Sequence, residues 1–171
     1  MIIGIVAVDN KWGIGRTNKE TGKGELLFDL PLDMQHFRSY TSNKVVALGL
    51  NTLLSFPGSK PLKGRSTLVL CPEGYERDDC VCIHSFEEML KLIKELSKTQ
   101  DVYIIGGAMF YQSMLPYYDK VIVTKVDTDG QAEVFFPNLD ENLDFVYTGA
   151  DVTMRDGDYN IRFWTYERCK R

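Results

Sequence analysis

The sequence predicts an α/β fold built on a mostly parallel sheet with an antiparallel C-terminal edge. Apolar strand patterns alternate with helical patterns as far as residue 126, which is typical of βαβ units and a parallel sheet. The first strands, such as IIGIVAV at 2–8, are continuous apolar runs, as expected where both faces of a sheet are covered. Only strand patterns follow residue 126, so we expect the last strands to pair antiparallel.

The strand and helix patterns follow one another along the whole chain. We expect strands at 2–8, 44–49, 66–71, 80–83, 102–105, 120–126, 145–153 and 159–167. Helical patterns lie between them at 30–41, 50–56, 86–98 and 107–115. The third helix begins with a capping box, in which Ser85 is the cap and Glu88 follows three residues later. Residues 9–25 read as one long loop, and a loop of that length is usually functional or mobile.

Length, charge and cysteine content restrict the class of protein. A chain of 171 residues predicts a single domain over 1–171. A net charge of −4 without a basic run argues against nucleic acid as a partner. There is neither a membrane-spanning apolar run nor a signal peptide, so we expect no membrane partner and a cytoplasmic location. The four cysteines lack zinc spacing, which predicts reduced structural thiols and no metal site.

The first helix carries a carboxylate where an apolar side chain is expected. Leu30, Met34 and Phe37 form one apolar stripe, and Asp33 lies in it or beside it. Asp29 is placed to cap the helix. Asp33 either meets the positive end of the helix dipole or faces a ligand that donates hydrogen bonds, and the helix alone does not decide between the two.

Glycines follow two of the predicted parallel strands where helices begin. YIIGGAMFY at 103–111 and ALGLNTLLSF at 47–56 both run from a strand through glycine into a helix, and Asn51 and Thr52 can donate to an anion there. Two such junctions fit a dinucleotide across the carboxyl ends of the strands, although neither is the G-x-G-x-x-G fingerprint.

Two further kinds of residue have open interpretations. Arg65 precedes an apolar strand, where it is either a solvated side chain or a bidentate ligand for a carboxylate. His36 is expected on the solvated side of its helix, and His84 lies at a strand end, where it can contact a cofactor. Neither histidine belongs to a readable Ser-His-Asp or Cys-His arrangement.

Taken in order, short segments over essentially the whole chain resemble the dihydrofolate reductase family. They are IVAVDNKWGIG, DLPLDMQHFR, NKVVALGLNT, PLKGRSTLVL, VYIIGGAMFY, LPYYDKVIVTKVD and FFPNL. The resemblance implies an eight-stranded mixed sheet flanked by four helices. It also implies an enzyme that reduces dihydrofolate to tetrahydrofolate with hydride from a nicotinamide cofactor, is inhibited by antifolates and acts as a monomer.

The resemblance assigns the substrate-binding residues. Asp33 matches the acid that binds the pterin, Thr124 the threonine that supports this acid, and Arg65 the arginine that binds the glutamate α-carboxylate. The pterin N5 would be protonated from water, with Asp33 favouring the protonated pterin. The other positions matched to the substrate are Ile3, Ile5, Phe28, Met34, Phe37, Phe56, Leu62 and Ile105, with Arg38 and Lys60 near its glutamate tail.

The resemblance also assigns the cofactor site, with NADPH as the expected cofactor. Gly106 and Gly107 match a glycine pair that holds a cis peptide in this family. The full matched set is Ile5, Ile14, Gly15, Gly49, Leu50, Asn51, Thr52, Leu70, Cys71, Pro72, His84, Ile105, Gly106, Gly107, Ala108, Met109, Phe110 and Tyr111.

The sequence departs from the family pattern in three places. The loop RTNKETGKGELL is longer than usual, and Phe28 replaces the usual tryptophan after it. The positions expected around the adenosine 2′-phosphate are Leu50, Cys71, Pro72 and Met109, with Glu73 adjacent, and none of them is basic. Lys44, Arg77 or His84 could supply the missing charge, and use of NADH is the alternative.

Two other functions fit parts of this pattern. A pyrimidine reductase of riboflavin synthesis has a related fold and uses NADPH, but it would not be expected to carry Asp33, Thr124 and Arg65 together. A non-catalytic folate-binding module with this fold would bind folate tightly without hydride transfer.

Overall fold

The computed structural model describes residues 1–22 and 24–170, which form two compact units. The first unit comprises residues 1–4 and 38–118, and the second comprises the described residues of 5–37 and 119–171. The prediction of one domain over 1–171 stays a prediction. In the described part of the chain, no helix is both long and apolar enough to cross a membrane.

The strands follow the predicted order with additions. They are β1 Ile2–Val8, β2 Gly13–Thr17, β3 Gly24–Leu26, β4 Val45–Gly49, β5 Ser66–Leu70, β6 Val81–Ile83, β7 Val102–Ile104, β8 Lys120–Val126, β9 Val134–Phe135, β10 Phe145–Ala150, β11 Met154–Asp156 and β12 Tyr159–Arg168. The helices are α1 Pro31–Thr41, α2 Leu50–Leu54, α3 Phe86–Leu96 and α4 Ala108–Met114. Short 3₁₀ turns lie at Pro57–Ser59 and Leu115–Tyr117.

The first unit contains a parallel sheet in the order β1-β7-β4-β5-β6. Apolar residues on both faces of β4 and β7 are buried, which explains their continuous apolar sequences. Helix α3 buries Met89 and Ile93, and Ser85 caps it by accepting the Glu88 N–H at 3.1 Å, as the capping box predicted. Because these strands are parallel, the carboxyl ends of β4, β5, β6 and β7 lie at one edge of the sheet.

The second unit contains the antiparallel edge that the C-terminal strand patterns predicted. Strand β12 pairs with β8, β10 and β11, with Phe163 opposite Thr124 and Tyr159 opposite Asp156. Residues 5–8 of β1 belong to this unit. Among the described residues the main sheet has nine strands instead of eight, because the short β11 joins β12.

The prediction of one long loop at 9–25 is wrong for residues 13–17 and 24–25, which are strand. Strands β2 and β3 lie within or next to it and form a separate antiparallel sheet in the order β3-β2-β9. These strands are short and glycine-rich, so their structure depends on pairing and not on propensity. The buried Asp9 carboxylate accepts hydrogen bonds from the N–H groups of Gly13 at 2.7 Å and Gly130 at 3.0 Å. These bonds join the start of the segment to the chain near Gly130. Lys23, also in this segment, lies outside the described residues.

Candidate functional site

The inward face of helix α1 matches the predicted one only in part. Its more buried positions are Asp33, His36, Phe37, Tyr40 and Thr41, a helical i, i+3, i+4, i+7, i+8 set. By contrast, the side chain of Met34 is 44% exposed, so the predicted stripe is wrong for Met34, whereas Leu30 is buried and Phe37 lies on the inward face. The inward face includes the carboxylate, which answers the question of where Asp33 lies.

The structure corrects the prediction for His36. Its imidazole stacks on the Phe163 ring with centroids 3.6 Å apart and an interplanar angle of 7°, so it does not lie on a solvated face. Burial lowers the pKa of His36, and the charge of Asp151 opposes that shift. No local feature of the sequence indicates this contact, because Phe163 lies on β12.

The cap of helix α1 is also not the predicted one. Asp156 accepts the Leu32 N–H through Oδ1 at 3.1 Å and the Asp33 N–H through Oδ2 at 3.0 Å. The expected cap by Asp29 is therefore wrong, because a carboxylate 123 residues further along the chain satisfies these helix-end donors. Sequence reasoning missed Asp156, since no local motif connects it to the helix.

Asp33 and Thr124 meet as the resemblance implied. The Thr124 hydroxyl, on the central part of β8, donates to Asp33 Oδ1 at 2.5 Å. Burial raises the pKa of Asp33, the nearby charge of Asp156 raises it further, and the Thr124 hydrogen bond lowers it. Asp33 is thus a half-buried carboxyl group held in one orientation, with a pKa above its ordinary value.

Asp33 lies on the wall of a cavity of about 280 Å³ in the second unit. The cavity is mainly apolar and is lined by Ala7, Ile14, Leu26, Leu27, Phe28, Asp29, Leu30, Asp33 and Met34. Of the sequence-predicted residues, it brings together Ile14, Phe28, Asp33 and Met34. Ile5 is buried in β1 and Gly15 lies in β2 of the same unit. A mainly apolar cavity whose wall carries Asp33, with Asp29 just before the helix, suits a flat, largely apolar ligand with adjacent N–H donors.

The phenylalanine that replaces the family's tryptophan also contributes to this wall. The Phe28 ring packs edge-on against Tyr159, with centroids 4.8 Å apart, and against the buried cluster of Leu30, Val126 and Ile161. Phe28 therefore lines the cavity and is held in place by packing against these residues.

The first unit contains the remaining residues predicted to bind substrate. Arg65 donates from Nε and Nη2 to Thr41 Oγ1, at 3.2 and 3.1 Å, and from Nη1 to the Lys63 carbonyl at 2.6 Å. Partial burial and the charge of Arg38 both lower the pKa of Arg65. Two neighbouring guanidinium groups form a site of positive charge that suits a carboxylate. The others in this unit are Ile3 and Ile105, which are buried, Phe56 and Leu62, which are half-buried, and Lys60, which is exposed.

The two predicted glycine junctions adjoin one another in the first unit. Gly49 and Gly107 are the N-cap residues of α2 and α4, and neither helix start has a side-chain cap. The Gly49 N–H donates to the Gly106 carbonyl at 2.9 Å, and the Gly106–Gly107 peptide is cis, as the resemblance implied. A Cβ at Gly107 would lie 2.9 Å from Thr52 Oγ1, so this position has room only for glycine. The backbone N–H groups at these helix starts suit a pyrophosphate.

The predicted residues at the ends of β5 and β6 also contact one another. His84 Nδ1 lies 2.9 Å from the Pro72 carbonyl, 3.6 Å from Cys71 Sγ, and Nε2 lies 2.7 Å from Glu76 Oε1. Oxygen atoms thus face both ring nitrogens, and the hydrogen bond with Glu76 raises the pKa of His84, which favours its charged form. Glu76 was missed by sequence reasoning, since the loop that carries it has no motif.

The other two candidate cations are less suited to this edge. Arg77 binds Asp79 through two hydrogen bonds of 2.7 and 2.8 Å and also donates to the Ser59 carbonyl. Lys44 comes immediately before β4 and so lies at the amino end of that strand.

The other residues predicted to bind the cofactor differ in exposure and lie on different elements. Met109 is 86% exposed, whereas Phe110 and Tyr111 are buried in the core of the first unit. Leu50, Asn51 and Thr52 lie in the first turn of α2, Leu70 ends β5 and Ala108 begins α4.

Comparisons with known proteins agree with this geometry. A family model described as dihydrofolate reductase matches residues 1–168. The dihydrofolate reductase of Bacillus subtilis (strain 168) is 28% identical over 171 residues, which cover 98% of this chain and 95% of that protein. The dihydrofolate reductase of Staphylococcus haemolyticus is 27% identical over 168 residues, with coverage of 97% and 95%.

A solved structure supports the fold. It is described as dihydrofolate reductase from Enterococcus faecalis complexed with NADP(H) and RAB-propyl. Its TM-score is 0.82 at 24% sequence identity, over 99% of this chain and 97% of that one. The predicted mixed α/β fold is therefore confirmed.

Proposed function

The chain belongs to the dihydrofolate reductase family, and we propose that Asp33 is the residue that binds the pterin of its substrate. The predicted enzyme class, an oxidoreductase that reduces dihydrofolate to tetrahydrofolate, is confirmed by this membership. The observation that carries the assignment of Asp33 is its position. It is a carboxyl group on the wall of an apolar cavity, and Thr124 holds one of its oxygens.

The chemistry of Asp33 suits a pterin. A carboxylate can accept a hydrogen bond from a ring N–H and another from an adjacent exocyclic amine, and such charge-assisted pairs are strong and orienting. Asp33 in this way fixes the orientation of the ring and favours its protonated form. Among the described residues that line the cavity, the only acid besides Asp33 is Asp29, which precedes the helix. We infer that water delivers the proton to N5. Inhibitors with the same pattern of N–H donors would bind Asp33 in the same way.

Arg65 is the proposed ligand for the glutamate α-carboxylate. Thr41 and the Lys63 carbonyl hold its guanidinium group, so little side-chain entropy is lost on binding. The neighbouring Arg38 adds positive charge. Replacing Arg65 by lysine keeps the charge and removes the planar fork, so we expect a higher KM for dihydrofolate with little change in kcat.

NADPH is the proposed cofactor, and it supplies the hydride. The starts of α2 and α4 offer uncapped N–H groups and a glycine with no room for a side chain, which fits a pyrophosphate. At the ends of β5 and β6, the imidazolium of His84 would bind the adenosine 2′-phosphate in exchange for Glu76. The structure of the Enterococcus faecalis relative is described as a complex with NADP(H). If Glu76 keeps its partner instead, NADH would be used equally well.

Steady-state kinetics of an Asp33→Asn variant test this function. We expect kcat/KM for dihydrofolate to fall about 100-fold or more, since the ionisable group that orients the pterin is lost. An Asp158→Asn variant, which changes an exposed carboxylate, should retain normal kinetics. Unchanged turnover of Asp33→Asn would overturn the assignment, and tight folate binding without turnover by the native protein would indicate a binding module.

The same assay with NADPH and NADH in parallel tests the cofactor. We expect NADPH to be preferred and a His84→Gln variant to lose that preference while its kinetics with NADH stay unchanged. Equal rates of the native protein with both cofactors would show that His84 does not recognise the 2′-phosphate.

A further inference from the structure

Asp156 is a buried carboxylate that the proposed reaction does not use. It ends β11, is 2% exposed, and is followed by the glycine of the turn into β12. Each of its oxygens accepts one backbone N–H from the first turn of α1, those of Leu32 and Asp33. The carboxylate therefore binds the same helix turn that presents the Asp33 side chain.

The hydrogen bonds of Asp156 determine which donors remain for Asp33. The first N–H groups of a helix have no partner within the helix, and acidic side chains in the first turn are drawn to them. Asp156 takes two of these donors, and the Asp33 side chain is hydrogen-bonded instead to Thr124 of β8. This arrangement leaves the Asp33 carboxyl group on the cavity wall.

Asp156 also acts on Asp33 through its charge. Groups that face Asp33 come from each neighbouring element: the Thr124 hydroxyl from β8, Asp156 from β11, and Asp29 from the cavity wall before the helix. His36 lies one turn further along α1 and has a lowered pKa. After burial, the charge of Asp156 is what raises the pKa of Asp33. A neighbouring negative charge favours the protonated form of a carboxyl group.

We propose that Asp156 is a positioning residue for pterin reduction, which holds the first turn of α1 in place and helps Asp33 and the pterin to keep one shared proton at higher pH. The proposal rests on the proposed function of Asp33 as the pterin ligand. Asp156 touches neither substrate nor cofactor, and acts only through the backbone and the charge state of Asp33.

The test compares Asp156→Asn with the matched variant Asp158→Asn, two residues away in the same turn. Asparagine keeps one oxygen that accepts an N–H, replaces the other acceptor by an NH2 group, and removes the charge. We expect the Asp33 carboxyl signal, followed by ¹³C NMR in the ligand-free full chain, to titrate at lower pH in Asp156→Asn. The alkaline limb of kcat/KM should move to lower pH by the same amount, so that activity on that limb falls about tenfold if the midpoint moves by one pH unit. Asp158→Asn should leave both unchanged.

A third variant separates the backbone contribution from the charge. Asp156→Ala removes both acceptors, so the helix start loses its cap and Asp33 its position. We expect kcat/KM to fall about 10- to 100-fold at all pH values, as for a catalytic group displaced by a fraction of an ångström. Equal kinetics of Asp156→Ala and the native protein would overturn the positioning role.

The remaining outcomes distinguish this proposal from the proposed function. An Asp33 signal with the native titration midpoint in folded Asp156→Asn overturns the proposal. A shifted signal without a shifted kinetic profile supports the coupling between the two carboxyl groups but overturns the role of Asp33 in turnover. If Asp156→Asn does not fold, the native protein decides. A change in the ¹³C chemical shift of the Asp156 carboxyl group at the Asp33 midpoint supports the coupling, and no change there overturns it.

Discussion

The hydrogen bond between Thr124 and Asp33 allows a quantitative prediction. Thr124 is 3% exposed, and its hydroxyl donates to the Asp33 carboxyl at 2.5 Å. Replacing Thr124 by valine keeps the shape of the side chain and removes the donor. A hydrogen bond to an ionised group is worth about 1.5–3 kcal/mol, and one to a neutral group about 0.5–1.5 kcal/mol. The cost of Thr124→Val should therefore depend on the ionisation of Asp33.

The direction of the pH dependence follows from the raised pKa of Asp33. Burial raises this pKa above the ordinary value of 3.8, so the native state favours the protonated carboxyl group. The protein therefore loses stability as the pH rises from 3.8 through the pKa of Asp33 in the folded state. The Thr124 bond opposes this loss. Thr124→Val should cost about 1.5–3 kcal/mol above the pKa of Asp33 and less below it. In a chain of this length the larger cost lowers Tm by about 3–12 °C.

Thermal unfolding followed by circular dichroism between acid and neutral pH measures this difference. Thr67→Val is the matched control, since Thr67 is also buried in a strand, and its hydroxyl has no hydrogen-bond partner among the described residues. Removing an unsatisfied buried hydroxyl should leave stability unchanged or higher at every pH. The reasoning is refuted if Thr124→Val costs the same at all pH values, or if Thr67→Val is equally destabilising.

Three further predictions concern other contacts. Lys125→Met should lower the free energy of unfolding, measured in urea, by about 1–2 kcal/mol, since the ammonium lies 4.4 Å from the Trp164 ring centre. Lys125→Arg should retain most of that stability, because arginine keeps the positive charge over the ring. His36→Phe should reduce the loss of stability on acidification below pH 6.5, because the folded protein disfavours the charged imidazole; an unchanged pH profile of Tm would contradict this. Gly107→Ala should destabilise by about 1–3 kcal/mol through its 2.9 Å approach to Thr52 Oγ1, and adding Thr52→Ala should recover part of this loss in denaturant unfolding.

Most of the main sheet was predictable because its signals are local. The strands at 2–8 and 120–126 were predicted with their observed bounds, and the helix at 86–98 was found with its Ser85 cap. Continuous apolar runs and a capping box depend only on residues that are close together in the sequence, so they can be recognised without the tertiary structure. The order of short segments was equally informative, since it identified the family and the pairing of Asp33 with Thr124.

The small sheet and the inward face of α1 were not predictable in this way. Strand β2 reads as a loop because GIGRT has little strand propensity, and it is a strand because β3 and β9 pair with it. On α1, the apolar stripe placed Met34 inward, whereas Met34 is 44% exposed. The helix turns Asp33 and His36 inward because Thr124 and Phe163 on the sheet receive them.

By itself, the sequence indicated the alternation of elements, the parallel and antiparallel parts of the sheet, and Asp33 as the candidate carboxylate in the first helix. Only the tertiary structure decided what surrounds that carboxylate. Burial and the charge of Asp156 raise the pKa of Asp33, and Asp156 caps the helix from 123 residues away, a contact that no periodicity or motif can report. Local patterns record the secondary structure that a segment favours, whereas the charge state of a buried group depends on side chains that only folding brings together.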